Sequence, residues 1–220
     1  MRRGCRLLQW LSVAALAIIA SAITPVSAQP VAGKDYLLIK PPQPTAAGKN
    51  IEVIDFFWYG CGGCNQLQPS LYEWLKRKPA DVTFRRQPAA FQENWVQLAR
   101  TYYTIEALDA AEKLHGEVFN AIHKTKALNP ATLSKDPKTL FDWVATKGIE
   151  RKKFVDTYHS FGVVSREKRT IDITSAYNIS STPTLVIDGQ YVITPSAGYE
   201  LFFKQVDHLI DRARKSRGGK

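Results

Sequence analysis

The sequence predicts an α/β fold, a central sheet covered by helices, with an all-helical segment inserted between its two halves. Three observations carry this. Before residue 90 the pattern runs strand, helix, strand, and after residue 180 it runs strand, strand, helix. Between them about 70 residues hold helical spacing and offer no strand candidate. And one stretch, Ile51–Leu75, passes from an apolar run through Cys-x-x-Cys into a helical pattern without a gap.

The elements follow in chain order. Met1 to Arg6 is basic, Leu11 to Ile23 is apolar, and Val26 and Ala28 are small. That layout is a secretory signal peptide over residues 1–28, cleaved after Ala28. The apolar run, about 13 residues, is shorter than the ~20 that span a bilayer. Cleavage would leave 192 of the 220 residues and two of the three cysteines. It would also lower the formal net charge from +10 to +7, because Arg2, Arg3 and Arg6 leave with no acid.

Tyr36 to Ile39 reads as a small strand, and Pro41, Pro42, Pro44 and Gly48 as a connection. Ile51 to Tyr59 reads as a buried strand ended by Gly60. The helix after Cys61 carries Leu67, Leu71, Trp74 and Leu75 on one face. Pro69 should kink it, or break it at Gln68. Pro79 stops it after the basic turn Lys76-Arg77-Lys78, which suits the negative end of the helix dipole. Val82 to Gln87 is the next strand.

Helical stripes follow: Trp95, Leu98, Ala99, Tyr102 and Ile105, then Ala111 to Ile122, Leu140 to Val144 and Phe154 to Tyr158. Val163 to Tyr177 reads as one further helix. Thr184–Asp188 and Tyr191–Thr194, joined through Gly189, are a hairpin. Tyr199 to Ile210 closes the chain as an amphipathic helix. The domain reading is residues 29–89 and 162–220 for the sheet-bearing part and 90–161 for the helical insertion.

Composition narrows function. The basic residues are scattered and not interleaved with exposed aromatics, so they read as solvated faces and no nucleic-acid partner is expected. Two cysteines in one short motif cannot staple the fold, since a disulfide over so small a loop constrains the unfolded chain little. Tetrahedral zinc wants four ligands, and His115, His123, His159 and His208 form no pair at ligand spacing, so no metal is expected. His115 reads as a satisfied core histidine. No dinucleotide motif is present, so no cofactor is expected. Cys61 and Cys64, at the start of a helix whose free N–H groups and dipole favour an anion, read as a redox-active dithiol.

Asp55, inside the apolar strand, is costly to bury and should have a raised pKa. It is either a buried proton acceptor beneath Cys64 or an edge residue facing solvent.

Asp55-Phe56-Phe57-Trp58, the Cys-x-x-Cys, Pro69 eight residues after Cys61, and Thr182-Pro183-Thr184-Leu185-Val186-Ile187 together resemble the thioredoxin fold. With the helical insertion and the secretory signal, the chain resembles the DsbA family of periplasmic thiol:disulfide oxidoreductases. The resemblance implies a disulfide-introducing oxidase working through Cys61 and Cys64, with periplasmic reductase as the alternative. It implies a cis Pro183 beside the dithiol, with the backbone of Thr182 pairing with an extended substrate peptide. It implies reduced or unfolded exported proteins as substrates, a membrane quinone reductase of the DsbB kind as electron acceptor, and a monomer. One departure stands out. Well-known members carry Pro-His between the cysteines, whereas this chain has Gly62-Gly63. A milder oxidant is therefore expected.

Overall fold

A computed structural model describes residues 29–196 and 198–218. The predicted signal peptide lies outside the described residues. Five strands form one sheet: β1 (Leu37–Leu38), β2 (Ile51–Phe57), β3 (Val82–Pro88), β4 (Thr184–Ile187) and β5 (Tyr191–Ile193). Their spatial order is β1-β5-β4-β2-β3. β2 and β3 are parallel and the other pairings are antiparallel.

β2 is central and buried along its whole length. A strand covered on both faces can be apolar throughout, which is why Ile51–Phe57 shows no alternation. Its two sets of side chains enter different cores. Ile51 and Val53 meet Leu67, Leu71 and Trp74 of α1 (Gly62–Arg77) and Phe202, Phe203 and Val206 of α9 (Tyr199–Gly218). Ile54 and Phe56 pack instead with Val186, Val192, Tyr177 and Ile179. Fully burying each such side chain contributes about 1.5–3 kcal/mol. Trp74 also donates its indole N–H to Asp207 at 2.7 Å, tying α1 to α9.

α1 runs unbroken through Pro69, so the predicted break at Gln68 does not occur. Pro69 is exposed, and the one helical hydrogen bond it removes does not interrupt the helix. Between β3 and β4 the chain is helical: α2 (Glu93–Ala107), α3 (Ala111–His123), α4 (Pro130–Leu133), α5 (Lys138–Thr146), α6 (Arg151–Tyr158), α7 (Phe161–Lys168) and α8 (Thr170–Ala176). The single helix expected over Val163–Tyr177 is two. The Arg169 N–H turns back three residues, to Arg166 O at 3.2 Å, and that tighter turn offsets α8 from α7. α7 is pinned to α2 by the ion pair of Arg100 with Glu167.

The hairpin turn is as the sequence predicts. Asp188 and Gly189 both have positive φ, 55° and 65°, and Gln190 N–H donates to Ile187 O at 3.0 Å. That is the two-residue geometry matched to strand twist. Gly189 is needed twice, since a Cβ there would meet Gln43 O at 2.2 Å. Among the described residues no helix is long and apolar enough to cross a membrane.

Candidate active site

Cys61 is the N-cap of α1. Its backbone is extended (φ −80°, ψ 117°), and its Sγ accepts the Cys64 N–H at 3.2 Å. This is the bond that a capping serine or aspartate makes, so a thiolate here satisfies a helix-terminal donor. Both cysteines are free thiols; Cys61 is half-buried and Cys64 fully buried.

The two sulfurs are set far apart in acidity. The contact with Cys64 is the largest cause that holds the Cys61 thiol down at about 6, and burial opposes it. Thr182 acts in both directions. Its side chain favours the thiolate, whereas its carbonyl, 3.3 Å from Sγ, accepts the S–H of the neutral thiol. The lowered value shows which form prevails. Cys64 goes the other way: burial pushes its thiol well above the ordinary value, and the nearby Cys61 and Asp55 charges add to this.

The predicted companions converge on this pair. Thr182–Pro183 is a cis peptide. A Cβ built on Gly63 would lie 3.2 Å from Pro183 Cδ and 3.8 Å from Cys61 Sγ, so the proline lies directly against the Gly62-Gly63 turn. Asp55 is fully buried, which rejects the solvent-facing alternative. It shares a face of β2 with Val53 and Phe57. Burial lifts its pKa to about 7, the Arg86 charge pulls it down, and the Cys61 charge raises it again. Neither carboxyl oxygen has a hydrogen-bond partner among the described residues.

Three contributors were not evident in the sequence. Arg86, read above as part of a solvated basic pair, stands beside Asp55 in the parallel β2–β3 register. Its guanidinium lies over Phe84, 5.1 Å from the ring centre, and its Nε is buried without a partner among the described residues. Strand alternation was the available signal, since Val82, Phe84 and Arg86 fall on one face. Trp58 stacks on Trp95 of α2 at 3.8 Å and 7°, and Phe91 flanks Trp95 at 5.1 Å. These aromatics form a partly exposed apolar cluster, reached from Cys61 through Trp58, three residues before it. Third, His115 is buried, but it is not the satisfied core histidine expected. Its Nδ1 meets Tyr59 Oη at 3.0 Å, while its Nε2 has no partner among the described residues.

A family model, the DSBA-like thioredoxin domain, matches residues 52–207. The chain is 37% identical over 171 residues to the thiol:disulfide interchange protein DsbA of Burkholderia cepacia, covering 77% of this chain and 78% of that one. It is 36% identical over 186 residues to the protein of the same name from Pseudomonas aeruginosa, covering 83% and 85%. Among solved structures, Pseudomonas aeruginosa DsbA superposes with a TM-score of 0.78 at 32% identity, covering 86% of this chain and 96% of that chain. The Xylella fastidiosa oxidoreductase DsbA gives 0.78 at 30% identity, covering 84% and 98%. A helix-capping thiol with lowered pKa and a buried thiol with raised pKa are the two halves of a disulfide-exchange centre, and with these relatives they place the chain in the DsbA family of thiol:disulfide oxidoreductases.

Proposed function

We propose that Cys61 and Cys64 are the redox pair of an oxidase that introduces disulfides into reduced exported proteins. The observation that carries this is the opposed acidity of the two thiols: Cys61 held at about 6, Cys64 pushed well above its ordinary value.

In the oxidised enzyme Cys61 and Cys64 share a disulfide. A substrate thiolate attacks Cys61 Sγ, the Cys61–Cys64 bond breaks, and its electron pair leaves on Cys64. That buried thiolate takes a proton, which Asp55 supplies, since its carboxyl still holds one near neutral pH. A second substrate thiolate attacks the substrate sulfur of the mixed disulfide and expels Cys61 as a stabilised thiolate. Two substrate thiols become one disulfide, and the enzyme keeps two electrons. Reoxidation reverses the proton step, with the Asp55 carboxylate drawing the proton from Cys64.

Substrate engagement rests on two features. The Thr182 backbone, beside Pro183 and 3.3 Å from Cys61 Sγ, offers edge hydrogen bonds to an extended peptide. Such pairing reads backbone and tolerates many sequences. Trp58, Phe91 and Trp95 offer apolar contact to an unfolded chain. A groove of about 380 Å³ between α1 and α9, lined by Pro69, Trp74, Tyr199 and Phe203, is the place for a DsbB-like quinone reductase that removes the electrons. The enzyme works as a monomer in the periplasm after removal of residues 1–28.

Substitution separates the two thiols. Cys64→Ser should accumulate a stable mixed disulfide between Cys61 and glutathione, because no resolving thiol remains, and Cys61→Ser should form none. Equal trapping by both variants would contradict the assignment.

A further inference from the structure

We infer that His123, acting with His115 across Phe119, is a positioning residue that fixes the turn delivering Cys61 to the helix start. This rests on Cys61 being the exchanging thiol.

His115, Phe119 and His123 are four residues apart and lie on one face of α3. All three meet Tyr59, the residue two before Cys61. Tyr59 Oη is 3.0 Å from His115 Nδ1. The Tyr59 ring packs on Phe119 with centroids 5.0 Å apart. His123 Nε2 is 2.8 Å from the Tyr59 carbonyl oxygen. A carbonyl only accepts, so His123 carries its proton on Nε2 and donates. Burial keeps the Tyr59 hydroxyl protonated and His115 neutral, so the two share one hydrogen bond between neutral groups whose direction follows the His115 tautomer. The His115 imidazole is held edge-to-face against the Phe57 and Phe119 rings at 4.8 and 5.2 Å.

The consequence lies in the backbone. Cys61 N–H donates to Trp58 O at 3.0 Å, closing a four-residue turn with Tyr59 and Gly60 at its centre. Turns of this kind exist in two forms that differ by a flip of the central peptide, and the flipped form favours glycine at the third position. Gly60 occupies that position and is not in the positive-φ region. Glycine leaves the flipped form accessible. The peptide that would flip is Tyr59–Gly60, whose carbonyl His123 holds. Releasing it lets the turn exchange, and Cys61 Sγ then spends less time against the Cys64 N–H.

Thiolate absorbance titration and the glutathione equilibrium should be measured for wild type, His123→Ala and His123→Gln, with circular dichroism as the check on folding. His123→Ala should raise the Cys61 pKa by about one unit and move the exchange equilibrium about tenfold toward oxidised enzyme. His123→Gln, whose amide N–H can reach the same carbonyl, should restore most of both. An Ala variant that matches wild type overturns the inference. So does a Gln variant that behaves like Ala, since ring packing would then be the cause. Nitrogen-15 spectra of the wild type give an independent reading: a neutral His123 ring with its proton on Nδ1 and none on Nε2 overturns the inference whatever the variants do. A wild type with no thiolate titrating near neutral pH would instead refute the dithiol reading itself.

Discussion

Cys61 Sγ accepts the backbone N–H of Cys64 at 3.2 Å, so the reactive sulfur is also the cap of its own helix. Thiolate stabilisation here comes from Cys64, by its thiol and its N–H, with Thr182 adding to it, and needs no side chain between the cysteines. That explains how Gly62-Gly63 can coexist with a Cys61 pKa of about 6.

A side chain should still add to it. Gly63→His would place an imidazole on a Cβ 3.8 Å from Sγ. Cys61 should titrate lower, and the glutathione equilibrium should move several-fold toward the reduced enzyme. The Pro183 ring, 3.2 Å from the new Cβ, has to give by a few tenths of an ångström. Gly63→Ala isolates that crowding and should leave the titration nearly unchanged. A raised Cys61 pKa in Gly63→His would mean that crowding outweighs charge.

Asp55 makes stability depend on pH. Folded, it keeps its proton to about pH 7; its ordinary value is 3.8. Between these pH values the folded chain binds more protons than the unfolded one, so stability falls as pH rises through the window. The full penalty above the window is about 4 kcal/mol. Asp55→Asn should therefore stabilise the reduced protein strongly at pH 8 and little at pH 4.5. Urea unfolding at the two pH values checks this, and equal effects at both would refute it.

The same substitution should slow chemistry. With no carboxyl to exchange a proton with Cys64, reoxidation of Asp55→Asn at pH 7 should be at least about tenfold slower. Stopped-flow measurement of Trp fluorescence would follow it. The deficit should shrink at high pH, where hydroxide removes the proton. A pH-independent deficit would point to misfolding of the site.

Gly60 is a contact residue as well as a turn residue. A Cβ there would lie 2.3 Å from the Trp58 ring. Gly60→Ala should cost about 1–3 kcal/mol of stability through overpacking, and it should push Trp58 off Trp95. Urea unfolding and near-ultraviolet circular dichroism report the two effects, and an unchanged stack with unchanged stability would contradict the packing described.

Much of this was legible in the sequence because local signals and fold agreed. The apolar run Ile51–Phe57, the helix start at Cys61 and the Asp188-Gly189 turn each state their own geometry. Thr182-Pro183 was legible only through resemblance, since nothing local brings residue 182 to residue 61. Arg86 was missed because a basic pair looks solvated until strand pairing sets one member beside a buried carboxyl. The joint role of His115 and His123 carries no metal-ligand spacing to mark it. Their eight-residue separation puts them two turns apart on one helix face, with Phe119 between them. Contacts that cross from α3 to the Trp58–Cys61 turn are long-range and leave no periodic trace.

The reduction potential of the Cys61–Cys64 pair tests the central claim most directly. An oxidase whose thiolate is stabilised with no side chain between the cysteines should lie above about −200 mV, yet below the about −120 mV of the strongest DsbA oxidants. Equilibration with glutathione, read by the thiol state of Cys61, gives the value. A potential near the about −270 mV of thioredoxin would make this dithiol a reductant and contradict the account.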